Sequence, residues 1–331
     1  MLAEMSSDVV MRALRVGRGF GWGDAIVLAA TIIWSVNVVV VKLALTDSGP
    51  LTYSAARYVL GGLVLCGLAR WLEGPLVRPR GTDAWLIAAA AVTGILINQA
   101  SFTGALALTN ADNVAMILGT APLLVAGWLA WRGREHFGAK VWGGLGIGLV
   151  GLALVVGAGV GAWSSWLGVL VALGSPLSWV VYLLLLPRLL GRYRPLTLAA
   201  LVTVVGAVML VPFGAVEALS RHPHLTWPWL GLLAYSALAA VALTTWLYLS
   251  GVRRLGPART AVYSYLQPFL TVVAAGVLIG EPVLPLQLLG GVIMLVGVVG
   301  GRPQPHPVAG GNEPTAVAGV LAKGLAESVG R

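Results

Sequence analysis

Segments of about 20 apolar residues recur ten times along this chain, each roughly as long as a helix must be to cross the hydrocarbon of a bilayer. Inside a membrane every backbone N–H and C=O needs a partner, so such segments are read as helices. They lie near 24–45, 50–71, 84–106, 111–131, 140–158, 163–186, 195–214, 227–250, 260–279 and 284–301. With 58% of residues hydrophobic and 10% charged, the fold class is an all-α membrane protein. No stretch before about residue 302 is long and polar enough to fold as a separate soluble domain. Residues 1–23 carry Arg12, Arg15 and Arg18 but no apolar run ahead of a small-residue cleavage site, and read as a cytoplasmic tail. "RPQPHPVAGGNEP" opens a flexible tail over 302–331, whose last part has the pattern of a weak amphipathic helix.

The net charge of +9 resides at helix ends rather than on a hydrophilic domain, which argues against nucleic acid as a partner. If the N-terminus is inside, 18 of the 21 lysines and arginines fall in inside segments: three in each of six. Arg221 alone is outside, and Lys42 and Arg57 fall within spans. Shifting the helix count by one scrambles this alternation. The expectation is therefore ten transmembrane helices with both termini cytoplasmic, in the inner membrane of a bacterial cell given the short loops. Cys66 is the only cysteine and lies in an apolar run, so neither an internal disulfide nor a cysteine metal cluster can form.

The chain also repeats itself. "GTAPLLVAGWLAWRGRE" (119–135) and "YLQPFLTVVAAGVLIGE" (265–281) each set a proline 13 residues before a glutamate. Shifted by 146, Gln99 falls on Thr245, Phe102 on Tyr248, Pro122 on Pro268, Gly144 on Gly290 and Gly151 on Gly297. Shifted by 145, Trp34 falls on Trp179 and "GPLT" (49–52) on "RPLT" (194–197). Two five-helix units, 24–158 and 163–301, follow. Because five is odd, the second enters the membrane from the opposite side, giving two inverted five-helix repeats. Secondary transporters are built this way, with their substrate site near the midplane.

"WSVNVVVVK" in the first helix, Arg57 in the second, the "P…GE" of 268–281 and the "LQLLGGVIMLVGVV" after it resemble EamA-type transporters of the drug/metabolite transporter superfamily. The resemblance covers about 24–301 and both repeats; it departs at "WRGRE" (131–135), where the second copy has "LIGE". It implies a ten-helix carrier with a central cavity, often exporting amino acids or other small metabolites.

Candidate cavity residues come from depth and helical spacing. Pro122 and Pro268 are expected at mid-membrane depth as helix breaks, freeing the carbonyls of Leu118 and Ser264. Thr260, Ser264, Gln267 and Thr271 share one face, as do Trp34 and Asn37, whose mates are Trp179 and Tyr182. With Gln99 and Tyr248, the expected substrate-binding set is Trp34, Asn37, Gln99, Trp179, Tyr182, Tyr248, Ser264 and Gln267. The alternative for each is a bond between neighbouring helices. Lys42 and Arg57 are expected to snorkel to the surface or pair with Asp47; the other reading is attraction of an anionic group such as a carboxylate. Glu135 and Glu281 read as anchors at helix ends.

All twelve acidic residues and all four histidines fall in tails, loops or helix ends, leaving nothing to titrate at mid-membrane. This disfavours proton-coupled export of cations and points to a neutral, zwitterionic or anionic small-molecule substrate. A nucleotide-sugar exchanger would call for several deep cations. Catalytic elbows, zinc-protease motifs and phosphate loops are missing, so neither an enzyme nor a cofactor is expected. Membrane lipids are the expected surroundings, and function alone or as a homodimer are both compatible with the sequence. The competing class is a membrane protein that binds a ligand without moving it, or that moves lipid along its surface.

Overall fold

A computed structural model describes residues 20–108, 117–157, 166–280 and 282–305, and the regular elements among them are helical. They are α1 (Trp22–Ala44), α2 (Pro50–Leu72), α3 (82–108), α4 (Ala121–Trp131), α5 (Ala139–Gly157), α6 (Trp166–Leu190), α7 (Pro195–Arg221), α8 (Trp227–Leu255), α9 (Pro257–Ile279) and α10 (Pro285–Gly301). Seven of them, α1–α3 and α6–α9, are long and apolar enough to cross a membrane; α4, α5 and α10 are shorter apolar helices. The expected tails over 1–19 and 306–331, and the anchor assigned to Glu281, lie outside the described residues.

Proline sets several helix starts. Pro50, Pro195, Pro257 and Pro285 occupy the first turn, where a missing N–H leaves no intrahelical bond unmade. The same rule relocates the two paired prolines. Pro122 does not sit deep in a continuous helix: a turn at 119–120 interrupts it, and Pro122 falls in the first turn of α4. Within α9, a 3₁₀ turn at Tyr263–Tyr265 is followed by Leu266–Ile279, of which Pro268 is the third residue. Each proline thus takes a position where its nitrogen needs no carbonyl partner. Helix α7 runs to Arg221, seven residues beyond the expected 214, through Pro212, and stops at His222 in a left-handed conformation (φ 47°). Helices α8 and α9 are joined by one residue, Gly256, at φ 80° and ψ 167°, a backbone region essentially reserved for glycine.

Helix pairs pack in opposite directions. At one end of the α2/α7 pair, Glu217 accepts from the Thr52 backbone N–H at 2.8 Å and from its hydroxyl at 3.1 Å. At the other end Glu73 accepts from the Thr197 backbone N–H at 2.7 Å and its hydroxyl at 2.6 Å. Each helix therefore ends in a carboxylate that caps the exposed N–H groups at the start of its partner, with the sign the helix dipole favours. Helices α5 and α10 approach to backbone contact along glycines. A Cβ at Gly144 would fall 2.1 Å from the Gly301 Cα, and one at Gly290 would fall 2.7 Å from the Gly151 carbonyl oxygen.

The connections gather into two groups. One holds Glu73 with Thr197, Asp83 with Arg192 and Tyr193, and Asp24 with Arg259 and Arg302. The other holds Asp47 with Thr226 and the His224 N–H, and Ser48 with the Trp229 indole.

Candidate functional site

Where the helices meet, α1, α6 and α8 contribute a cluster of four aromatic side chains. Trp34 and Trp179, at equivalent positions 145 apart in sequence, meet edge to face with ring centroids 5.9 Å apart. Tyr248 lies 5.0 Å from Trp34 and 5.5 Å from Trp179, and Tyr182 lies 5.0 Å from Trp179. These separations suit the attraction between aromatic edges and faces. The Tyr182 ring fills the space left by a missing side chain: a Cβ at Gly94 would fall 2.6 Å from it. The Tyr248 hydroxyl is buried without a hydrogen bond, with Trp179 and Ser264 as polar neighbours. Trp34 and Tyr248 are thus brought together with Trp179 and Tyr182, all four from the expected substrate-binding set.

A polar group lies one helical turn away. Asn37 follows Trp34 on the same face of α1; its side-chain amide oxygen accepts from the Ser236 hydroxyl at 2.7 Å, while the Trp34 indole donates to the Ala240 backbone carbonyl at 3.0 Å. The Ser236 hydroxyl in turn lies 3.5 Å from one Arg57 nitrogen. A second Arg57 nitrogen donates to the Gln99 side-chain oxygen at 3.0 Å, and the Gln99 amide reaches the Tyr58 hydroxyl at 3.4 Å. This places Asn37 and Gln99 in one network whose centre is Arg57.

Ser264 and Gln267 belong to a third patch. Ser264 lies in the 3₁₀ turn of α9, and the Gln267 carbonyl accepts from the Ser35 hydroxyl at 3.3 Å. The Thr271 hydroxyl donates to the Ser35 carbonyl at 3.4 Å, so the polar stripe of α9 faces α1. Of the two expected helix breaks, Pro268 adjoins this patch; Pro122 starts α4.

Arg57 is the main correction to the sequence reading. It neither snorkels nor pairs with Asp47: it is only 7% exposed, and Asp47 is engaged by Thr226. Arg57 points inward because α2 is pinned alongside α7 and α8, and Asp47 belongs to the turn at the helix end. Lys42, by contrast, is exposed in the last turn of α1. Tyr58 and Ser236 also belong to the network and were missed. The cost of a charge at membrane depth was the available signal for Arg57; nothing in the sequence distinguished Tyr58 or Ser236.

Irregular backbone concentrates around these residues. Two π-helical stretches, Val92–Ile97 in α3 and Ser236–Leu243 in α8, flank the aromatic and polar groups. An offset of 146 carries 92–97 onto 238–243, so the two widened turns occupy matching positions. Such stretches, like the 3₁₀ turn of α9, are tolerated at membrane depth where protein covers the backbone, and π-bulges recur at functional sites.

The EamA-like transporter family matches residues 21–157 and again 166–300. The chain is 30% identical over 277 residues to the uncharacterized transporter YvbV of Bacillus subtilis, covering 82% of this chain and 88% of that one. It is 25% identical to the uncharacterized inner membrane transporter YedA of Escherichia coli, covering 82% and 87%. It is 28% identical to a probable terminal-alkyne amino-acid exporter of Streptantibioticus cattleyicolor, covering 82% and 91%. A solved crystal structure superposes with a TM-score of 0.69 at 20% identity, covering 84% of this chain and 96% of the other, a likeness of fold.

Proposed function

The chain belongs to the EamA-like transporter family, and from that premise we propose that it is a secondary transporter exporting a small neutral, zwitterionic or anionic metabolite by alternating access. In this reading all ten helices span the inner membrane of a bacterial cell, with both termini cytoplasmic, as two inverted five-helix repeats. The reciprocity of the contacts supports it. Glu73 caps α7 as Glu217 caps α2, and the approach of Gly144 to Gly301 is matched by that of Gly290 to Val155. Trp34 and Trp179 are mates and touch each other. That last contact carries the proposal: two residues at matching positions of the repeats touch within a cluster of aromatic side chains, which supports a site between the repeats. Trp34, Asn37, Gln99, Trp179, Tyr182, Tyr248, Ser264 and Gln267 form the substrate site, and the breaks before Pro122 and Pro268 give the surrounding helices room to rock. The relative described as an amino-acid exporter makes amino acids a reasonable first substrate class.

The test compares metabolites in the medium of cells expressing the wild type with those from cells expressing Ser264→Trp, matched for membrane abundance. Ser264 is a polar neighbour of the Tyr248 hydroxyl, so the added indole blocks the site. A compound enriched outside only for the wild type is the expected result. If the wild type and the variant release the same compound equally, the route does not pass this site, as in a protein that moves lipid along its surface.

A further inference from the structure

Among the described residues three charged side chains are buried: Asp24, Arg57 and Arg259. Two of them neutralise each other, because the Arg259 guanidinium grips the Asp24 carboxylate with two hydrogen bonds of 2.8 Å. Arg57 is treated differently. Its hydrogen-bond partners are the neutral Gln99 and Ser236, its guanidinium carbon lies 5.3 Å from the centre of the Tyr58 ring, its Nε is buried without a hydrogen-bond partner, and no described carboxylate pairs with it. A guanidinium keeps its proton under all ordinary conditions, so burial cannot be relieved by losing the charge. An unpaired buried charge is strongly unfavourable, and the Asp24–Arg259 pair shows that this chain supplies a carboxylate where the arginine is structural.

The surroundings define what completes the site. Asn37 and Ser236 connect Arg57 to the face carrying Trp34 and Ala240, and beyond that face stand Trp179, Tyr182 and Tyr248. A cation with one unpartnered nitrogen is thus linked, through Ser236 and Asn37, to the helix face that carries the aromatic cluster. Its single charge matches a single anionic group, and planar guanidinium geometry matches a carboxylate. Resting on the central-site reading above, we infer that the ligand is a monocarboxylate with an apolar or aromatic body: the carboxylate seats on Arg57 and the body packs against Trp34, Trp179 and Tyr248.

The test measures thermal unfolding of the purified full-length protein, in wild-type, Arg57→Gln and Arg57→Lys forms. The probes are 3-phenylpropionate, L-phenylalanine, L-phenylalaninamide and inorganic phosphate. The wild type is stabilised by one or both carboxylates and not by the amide or phosphate. Stabilisation by both identifies the carboxylate as sufficient, and by L-phenylalanine alone assigns the amino-acid subclass. Arg57→Gln weakens carboxylate binding by about thirtyfold or more, and Arg57→Lys, which keeps the charge but loses the planar fork, falls between. The inference is overturned if neither carboxylate stabilises the wild type, if amide or phosphate does so equally, or if folded Arg57→Gln binds carboxylates unchanged. Should Arg57→Gln not fold, the acid-against-amide comparison on the wild type and Arg57→Lys decides.

Counterflow into proteoliposomes separates this inference from the transport reading. Carboxylate binding that needs Arg57, without flux, sinks transport and leaves the binding site; flux with no preference for acid over amide does the reverse.

Discussion

At the scale of single residues, helical spacing made part of the site legible. Trp34 and Asn37 share a face because they are three residues apart, and both contact α8, through Ala240 and Ser236. Arg57 was misjudged because a sequence shows which charges are near in the chain and not which are engaged elsewhere. Asp47 looked available and is held at a turn by Thr226. Asp24 offers the opposite case: a residue at a helix start, unremarkable in sequence, accepts from Arg259, from Arg259 again and from the Tyr263 hydroxyl at 2.6 Å. With Asp24 and Arg259 exposed by only 1% and 5%, Asp24→Asn leaves a buried cation uncompensated. The expected loss is about 3–5 kcal/mol, read as a lowered unfolding midpoint and reduced membrane abundance. Replacing both partners by leucine should cost less than Asp24→Asn alone, because Arg259 is then not left as a buried charge without its carboxylate.

At the scale of elements, apolar length gave most helix boundaries to within a few residues, since it acts locally. The π-helical stretches were not legible: a widened turn depends on what packs against it, and Val92–Ile97 and Ser236–Leu243 have the same apolar composition as their flanks. The matching of Gly144 with Gly290 and of Gly151 with Gly297 was visible in the sequence, though not that these glycines bring α5 against α10. Gly144 has the Gly301 backbone where its Cβ would stand, whereas Gly146 has open space. Gly144→Val should therefore force the two helices apart and cost about 1–3 kcal/mol or more, while Gly146→Val should leave the unfolding midpoint nearly unchanged. Equal effects from the two substitutions would mean that helix propensity, rather than close approach, governs these positions.

At the scale of the whole molecule, the alternation of arginine and lysine assigns a side to each connection, and the contacts among the described connections are compatible with that assignment. Asp83 contacts Arg192 and Glu73 contacts Thr197, joining segments assigned to the inside, while Asp47 contacts Thr226 among those assigned to the outside. Reporter fusions check the direction. A fluorescent protein fused after residue 331 should be bright in the cytoplasm, and an epitope inserted after His222 should be labelled from outside intact cells. The reverse pattern would turn the molecule over and make the proposed exporter face the other way. Family resemblance, by contrast, reached the fold and stopped short of the polar network, because Arg57 acquires its meaning from Gln99 and Ser236 on two other helices.

The buried Asp24–Arg259 pair joins residues 235 positions apart, and Arg302 lies further along the chain. During synthesis at about 5–20 residues per second, Asp24 emerges on the order of 10–50 s before Arg259 exists to neutralise it. For that interval the newborn first helix carries an uncompensated carboxylate at its leading end. Until α9 is made, water is the only partner that can offset that charge, so Asp24 takes its buried place only afterwards. The last step of assembly is thus to lock the first, and a chain truncated before Arg259 should be recognised by quality control as unfinished.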